Sequence, residues 1–255
     1  MTLLNAILLF VAAVIAGLMN SVAGGGSFIA FPALIFTGVP PIPANATNTV
    51  ALWPGSVASV GAYRNRLPRD ARLMVPLITF SVIGGVLGAV LLLHTPQATF
   101  MHLVSYLFGI ATLLFAFGKR LTQGLSGMVK RTGPLSWPLI AGLCLVQLII
   151  AIYGGFFGGG IGILMLAMLE MTHMEDIHAM NGLKALLGTA INGAAVVTFI
   201  LARQVEWPQA ILMVVGAIVG GYGGAHYAQK LDPRWTRASV ICVGTAMTIY
   251  FLWRY

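Results

Sequence analysis

Apolar residues dominate the chain and fall into ten segments that are separated by short polar or glycine- and proline-containing stretches. The segments are 3–22, 27–38, 46–63, 73–93, 98–118, 134–153, 155–171, 177–202, 207–228 and 235–253. A helix needs about 20 apolar residues to cross a bilayer, and most segments come close to this length. Segment 27–38 stops at the turn sequence Gly38–Pro41 and is too short to cross alone. The pattern therefore predicts an all-α polytopic membrane protein that also contains shorter helices.

The composition supports a membrane protein and excludes other classes. Hydrophobic residues make up 58% of the 255 residues and charged residues only 8%, whereas about a quarter of an ordinary soluble domain is charged. A soluble enzyme, a nucleic-acid-binding protein and a disordered chain are therefore excluded. We expect the net charge of +8 to reflect basic cytoplasmic loops rather than a nucleic-acid partner.

The basic residues are clustered and predict the orientation of the chain. Eleven of the 14 Lys and Arg residues lie near 64–72, 119–131 and 230–237. Because basic loops stay on the cytoplasmic side, we expect these three loops inside the cell. The loop near His94 has neither Lys nor Arg and is expected outside. The apolar N-terminus lacks a basic region before it, so we interpret it as part of the mature fold rather than a signal peptide.

The chain also contains an internal repeat. We divide it into a first repeat (1–118), a cytoplasmic linker (119–133) and a second repeat (134–255). The basic loops give the two repeats opposite orientations, an arrangement typical of secondary transporters with a substrate site at the membrane midplane. The matching positions, at offsets of 134, 133 and 136, are Gly24–Gly26 with Gly158–Gly160, Asn48 with Asn181, and Gly84–Gly85 with Gly220–Gly221.

Each repeat contains a glycine-rich motif, at 20–27 in the first and at 153–160 in the second. Consecutive glycines interrupt a helix, so we expect each repeat to have a glycine-tipped helical hairpin followed by three spanning helices. The helix that starts after each break has unpaired N–H groups and the positive end of its dipole, which favour an anion. Two alternatives remain: all ten segments cross fully, or the glycines serve only close helix packing.

Polar and small residues form a stripe on segment 177–202. Asn181, Lys184, Gly188 and Asn192 recur every three or four residues and share one helix face. A lysine within an apolar helix costs at least ~2.5–3.5 kcal/mol on insertion scales, so we expect it to have an anionic partner, namely the substrate. The alternatives are that it reaches the cytoplasmic interface or pairs with Glu175 or Asp176. The matching stripe of the first repeat is Asn48, Ala51, Gly55 and Ser59.

The sequence contains no motif of a nucleophilic or metal-dependent enzyme, such as HExxH, GxSxG or CxxC. We therefore expect no catalytic residue, no metal site and no cofactor. His173 and His178 lie beside Glu170, Glu175 and Asp176. We interpret this group as a solvated loop, with a proton relay as the alternative.

Several of these motifs, taken in order, resemble one known family. Residues 17–34, 38–40 and 44–48 resemble the TauE/SafE sulfite-exporter family of membrane permeases, and 158–162 followed by Asn181 and Lys184 resembles its second repeat. The resemblance covers nearly the whole chain. It implies a multi-pass protein of the bacterial inner membrane that moves sulfite, sulfonates or other organosulfur anions.

The residues and the resemblance together predict an alternating-access permease for a small anion, sulfite or an organosulfonate, in a lipid bilayer. The alternatives are an anion channel of the same fold and a membrane-embedded protein without transport function. The sequence identifies neither the exact anion nor the direction of transport, the coupling ion or the oligomeric state. The predicted substrate-binding residues are Ser21, Gly24, Gly25, Gly26, Asn48, Gly158, Gly159, Gly160, Asn181, Lys184 and Asn192.

Overall fold

A computed structural model of the chain describes residues 1–22, 25–68, 70–128, 137–172, 174, 176–228 and 233–254. This part of the chain is helical and contains no β-strand. Short 3₁₀ turns at Arg64–Arg66 and Glu170–Thr172 follow α3 and α7. The helices are α1 (Leu3–Val22), α2 (Ser27–Phe36), α3 (Pro41–Tyr63), α4 (Ala71–His94), α5 (Gln97–Met128), α6 (Trp137–Phe156), α7 (Ile161–Leu169), α8 (Ile177–Leu201), α9 (Trp207–Ala228) and α10 (Pro233–Arg254).

Each of the ten apolar segments contains one helix, which confirms the prediction of an all-α membrane protein. α3 begins at Pro41 rather than at 46, because proline fits the first turn of a helix, where its missing N–H is not needed. α5 continues to Met128, beyond the predicted end at 118. α7 begins at Ile161 rather than at 155, so the boundary predicted between these two segments was wrong.

Five of the described helices, α1, α4, α5, α6 and α8, are long and apolar enough to cross a membrane. α3 has 23 residues, but its asparagine, threonine and serine residues lower its hydropathy. α2 and α7 have only 10 and 9 residues, about 15 Å at 1.5 Å per residue. That is half the thickness of the hydrocarbon core. The chain is therefore a multi-pass membrane protein that combines long helices with two half-length helices.

The helix contacts recur when the two halves of the chain are exchanged, so that α1 to α5 correspond to α6 to α10 in the same order. α1 packs against α9 as α6 packs against α4, and α3 packs against α9 as α8 packs against α4. The pairs α3–α8 and α5–α10 each join two corresponding helices. The helix contacts therefore have the pattern expected of two equivalent halves that face each other.

Glycines allow the long pairs to approach closely. A Cβ on Gly220 of α9 would collide with the Val14 carbonyl oxygen of α1. A Cβ on Gly155 of α6 would collide with the Gly85 carbonyl oxygen of α4. Small residues permit this backbone contact between membrane helices, and it explains why Gly155 lies within α6 instead of ending it.

The turns between helices gather at two ends of the bundle. At one end, the Ile42 N–H at the start of α3 donates to Gln97 Oε1 at the start of α5 (3.0 Å). At the other end, Nη1 of Arg66, which follows α3, lies 3.9 Å from Oδ2 of Asp176, which precedes α8. The sequence predicts the first of these ends outside the cell and the second inside it.

Candidate functional site

The chain returns after α2 to the end of the bundle where α1 began. A cavity of about 350 Å³ at this end is lined by residues that precede or start α1 and by residues that follow α2. Thr2 and Asn5 line it from the first group, and Thr37 and Pro40 line it from the second. α1 and α2 therefore form a hairpin whose turn lies at the far end of α1.

Asn20 holds the turn between α1 and α2. Its Oδ1 accepts a hydrogen bond from the Gly26 N–H (2.8 Å), immediately before α2. Gly25 has φ +90°, a backbone conformation that suits glycine because it has no Cβ. Two of the predicted site residues, Gly25 and Gly26, thus lie at the N-terminal end of α2. Gly24 and the side chain of Ser21 lie outside the described residues.

Asn48 of α3 contacts Ser27, the first residue of α2. Its Nδ2 donates to Ser27 Oγ (3.1 Å), and the residue is only 2% exposed. Its Oδ1 is buried and has no hydrogen-bond partner among the described residues. Buried polar atoms are nearly always paired in folded proteins, so an unpaired acceptor indicates a place for a ligand or a water molecule.

The neighbouring polar side chains of α3 are bonded to the second repeat. Asn45 Nδ2 donates to the Phe156 carbonyl oxygen at the end of α6 (3.2 Å). Thr47 Oγ1 accepts from the Glu206 N–H before α9 (3.0 Å). Asn45 and Thr47 are buried, so these bonds hold the start of α3 against the end of α6 and the start of α9.

The turn between α6 and α7 is formed by Gly158–Gly160. Gly158 has φ +84° and Gly160 has φ +77°, and the Tyr153 hydroxyl donates to the Gly159 carbonyl oxygen (2.7 Å). α7 begins with the next residue, Ile161. The three predicted glycines of the second repeat therefore lie at the N-terminus of α7, and Tyr153 stabilises their turn.

Lys184 and Asn181 of α8 lie beside the first turn of α7. Lys184 Nζ donates to Asn181 Oδ1 (2.9 Å), and a Cβ on Gly162 would lie 3.5 Å from Lys184 Cδ. Lys184 is half-buried. A lysine has three N–H donors, and the N-terminus of a helix adds a partial positive charge. This group can therefore bind an oxyanion.

Asp176, one of the two carboxylates considered as partners of Lys184, has other contacts. One Asp176 oxygen accepts from the His178 N–H (2.8 Å), and the other lies 3.9 Å from Arg66. Both contacts are at the exposed start of α8. Glu175 lies outside the described residues. Asn181, rather than Asp176, holds the lysine side chain.

The rest of the predicted stripe also faces the protein interior. A Cβ on Gly188 would lie 3.5 Å from Met165 Cε of α7, so Lys184 and Gly188 both face α7. Asn192 is half-buried, with no side-chain hydrogen bond to another described residue. The stripe on α8 is therefore a protein-facing surface, as its small and polar residues predict.

Polar side chains of α3 and α8 form two groups, one beside each short helix. We name Ser27 and Asn48 the α2 half-site, and Gly162, Asn181 and Lys184 the α7 half-site. The sequence placed Asn48 and Lys184 around one anion, and the structure does not bring them together in this conformation.

The packing of α3 against α8 gives the separation of the half-sites. A Cβ on Gly193 would lie 3.2 Å from the Trp53 indole, and a Cβ on Gly182 would lie 3.1 Å from Tyr63 Cβ. The two helices are therefore antiparallel. At 1.5 Å per residue, this register separates Asn48 from Lys184 by roughly 15–20 Å along the helix axes, so one small anion cannot contact both.

Aromatic side chains connect the two hairpins. The ring centroid of Phe31 on α2 lies 6.3 Å from that of Phe157, which precedes Gly158. Phe108 of α5 contacts both rings, at 6.0 and 5.5 Å. The contact between the hairpins is thus apolar, at a position where the sequence predicts the anion.

Sequence reasoning missed three residues that shape the site: Asn20, Asn45 and Tyr153. Asn20 and Tyr153 are the first residues of the two glycine motifs, so their positions carried a signal. Asn45 lies three residues before Asn48 and therefore on the same face of α3. Their partners are backbone atoms of Gly26, Phe156 and Gly159, which residue spacing does not reveal.

Comparisons with known proteins identify a family and several relatives. The family model described as sulfite exporter TauE/SafE matches residues 9–251. A protein of Sinorhizobium sp named a probable membrane transporter protein is 31% identical over 245 residues, which cover 96% of this chain and 91% of the relative.

Two other relatives have similar names. A probable membrane transporter protein of Haemophilus influenzae is 28% identical over 242 residues, covering 94% of this chain and 92% of the relative. The probable membrane transporter protein YfcA of Escherichia coli K12 is 27% identical over 246 residues, covering 96% and 88%. No solved structure matches the chain significantly. None of these names specifies a substrate for the relatives.

Proposed function

Because the chain belongs to the TauE/SafE sulfite exporter family of membrane transporters, we propose that it carries a small oxyanion across the bacterial inner membrane by alternating access. The oxyanion is sulfite or an organosulfonate, and it is bound and released unchanged, so the protein has no enzymatic step. The observation that carries the proposal is the position of Lys184, which lies beside the N-terminus of α7 within a membrane-spanning helix.

The charge of Lys184 explains why an anion is needed. A lysine at the centre of a membrane helix costs at least ~2.5–3.5 kcal/mol on insertion scales. Asn181 Oδ1 gives it a hydrogen bond but no opposite charge. An oxyanion beside Nζ supplies that charge and accepts hydrogen bonds from Lys184 and from the N-terminus of α7.

The proposal includes two inverted repeats, 1–118 and 134–255, joined by a cytoplasmic linker at 119–133. The helix contacts support it, since the pairs α1–α9 and α6–α4 correspond under a shift of five helices. The short helices support it as well, because α2 and α7 each follow a glycine turn and each has half the length of a span. Discontinuous helices of this kind form substrate sites in secondary transporters.

The difference in exposure between the repeats supports alternating access. Asn45 and Thr47 at the start of α3 are buried and bonded to the other repeat. At the start of α8, the corresponding helix, Asp176 and His178 are exposed, whereas Met180, which corresponds to Thr47, is buried. We propose that this conformation is closed at the outer end and open at the inner end. Rocking of one repeat against the other would open the outer end and close the inner end.

Sulfite binding to the purified protein tests the role of Lys184. We expect isothermal titration calorimetry in detergent to show saturable binding of sulfite to the wild type. Lys184→Met should weaken binding by at least about tenfold, because it removes a charge-assisted hydrogen bond. Lys184→Arg, the matched control, retains the charge and should retain binding. Unchanged affinity in Lys184→Met, in a protein that elutes like the wild type, would contradict the proposal.

A further inference from the structure

We infer that Asn48 makes the α2 half-site selective for anions that also carry a hydrogen-bond donor, an O–H or N–H group. The inference rests on the proposed transport of oxyanions and adds the chemistry of one half-site. The evidence is the side-chain amide of Asn48, in which only one of the two polar atoms has a hydrogen-bond partner. Asn48 Nδ2 is bonded to Ser27 Oγ, whereas the buried Oδ1 has no partner among the described residues.

Two other asparagines near the α2 half-site bond to backbone atoms rather than to Asn48. Asn20 Oδ1 is bonded to the Gly26 N–H, and Asn45 Nδ2 is bonded to the Phe156 carbonyl oxygen. Within the described part of the chain, no side chain donates to Asn48 Oδ1. A ligand or a solvent molecule can supply the donor for this oxygen.

The second repeat shows what the missing donor does. Asn181 corresponds to Asn48, and its Oδ1 accepts a hydrogen bond from Lys184 Nζ. The residue that corresponds to Lys184 in the first repeat is Ala51, which has no donor and is 1% exposed. The same asparagine oxygen thus has an internal donor in one repeat and none in the other.

An amide oxygen can only accept hydrogen bonds. A fully deprotonated oxyanion has only acceptors, so it would place oxygen against Asn48 Oδ1. An anion with an O–H or N–H group donates to that oxygen and turns its negative oxygens towards the N-terminus of α2, where the dipole is positive. The α2 half-site therefore fits hydrogen sulfite and sulfonates with a hydroxyl or ammonium group, and it discriminates against plain alkylsulfonates.

Two sulfonates of equal charge test this inference in proteoliposomes. 2-Hydroxyethanesulfonate and ethanesulfonate differ by one hydroxyl group, and neither changes its charge near neutral pH. We expect the wild type to transport the hydroxylated anion with at least about tenfold higher kcat/KM, since an unpaired buried acceptor disfavours the other substrate. For the inorganic anion, we expect the sulfite flux to change with pH in proportion to the fraction present as hydrogen sulfite.

Two variants assign the preference to Asn48. Asn48→Leu removes the acceptor and should bring the ratio of the two kcat/KM values close to one. Ala51→Lys copies the second repeat and supplies an internal donor, so it should also abolish the preference without removing Asn48. Thr49→Val is the matched control: its hydroxyl bonds to the Asn45 carbonyl oxygen of its own helix, and the preference should remain.

Equal kcat/KM of the two sulfonates in the wild type would overturn the inference and leave anion transport standing. A preference that persists in both Asn48→Leu and Ala51→Lys would overturn it as well. If the wild type moves neither sulfonate nor sulfite, the proposed function itself fails, and the inference fails with it.

Discussion

The Gly155→Ala substitution tests the close contact between α4 and α6. A Cβ at this position would overlap the Gly85 carbonyl oxygen, and this backbone atom cannot rotate away as a side chain would. Overpacking a tight interface costs about 1–3 kcal/mol. The substitution also gains about 1 kcal/mol, because alanine favours a helix over glycine. With a backbone atom in the way, we expect a net loss of up to about 2 kcal/mol in the free energy of unfolding.

Gly142 of the same helix provides the matched control. A Cβ there would have no neighbouring atom within 4 Å. Gly142→Ala should therefore leave stability unchanged or raise it by up to about 1 kcal/mol, through helix propensity alone. The pair thus compares the same chemical change on one helix with and without a backbone neighbour.

Thermal unfolding of the detergent-purified variants, followed by tryptophan fluorescence, measures the difference. The account predicts that Gly155→Ala unfolds at a lower temperature than the wild type and that Gly142→Ala does not. If Gly155→Ala were as stable as Gly142→Ala, the close packing of α4 against α6 would be refuted. The same interpretation of the α1–α9 contact, in which Gly220 approaches the Val14 carbonyl oxygen, would then lose its support too.

Three other substitutions have defined outcomes. Tyr153→Phe removes the hydroxyl bonded to the Gly159 carbonyl oxygen and should lower the free energy of unfolding by about 1 kcal/mol, measured by the same fluorescence assay. Gly158→Ala forces a Cβ into a position with φ +84° and should cost about 1–2 kcal/mol, whereas an unchanged unfolding temperature would contradict this turn geometry. Arg66→Gln breaks an ion pair whose side chains are 64% and 45% exposed. The free energy of unfolding, measured by the same assay, should therefore change by less than about 0.5 kcal/mol.

The positions of the helices were predictable from the sequence, because each helix coincides with a long run of apolar residues. Each apolar segment contains one helix, and the runs Gly24–Gly26 and Gly158–Gly160 come directly before the two short helices. The spacing on segment 177–202 also placed Lys184 and Gly188 on one face, and both contact α7. These features are local, since they depend on residues within a few turns of one another.

The relation between the two half-sites was not predictable, because it depends on how α3 is aligned with α8. Trp53 fits against Gly193, and Tyr63 fits against Gly182. This alignment puts Asn48 and Lys184 at different depths. Spacing along one helix contains no information about such an alignment between helices. For the same reason, the sequence grouped Gly155 with the turn, although its contact with Gly85 keeps it within α6.

Counterflow of sulfite in proteoliposomes tests the central claim most directly. Vesicles are loaded with unlabelled sulfite and diluted into labelled sulfite, with wild type, Lys184→Met or Lys184→Arg in the membrane. The account predicts a transient accumulation of label above equilibrium in the wild type and in Lys184→Arg, and none in Lys184→Met. Flux without accumulation in the wild type would indicate a channel, and undiminished accumulation in Lys184→Met would contradict the role of the lysine.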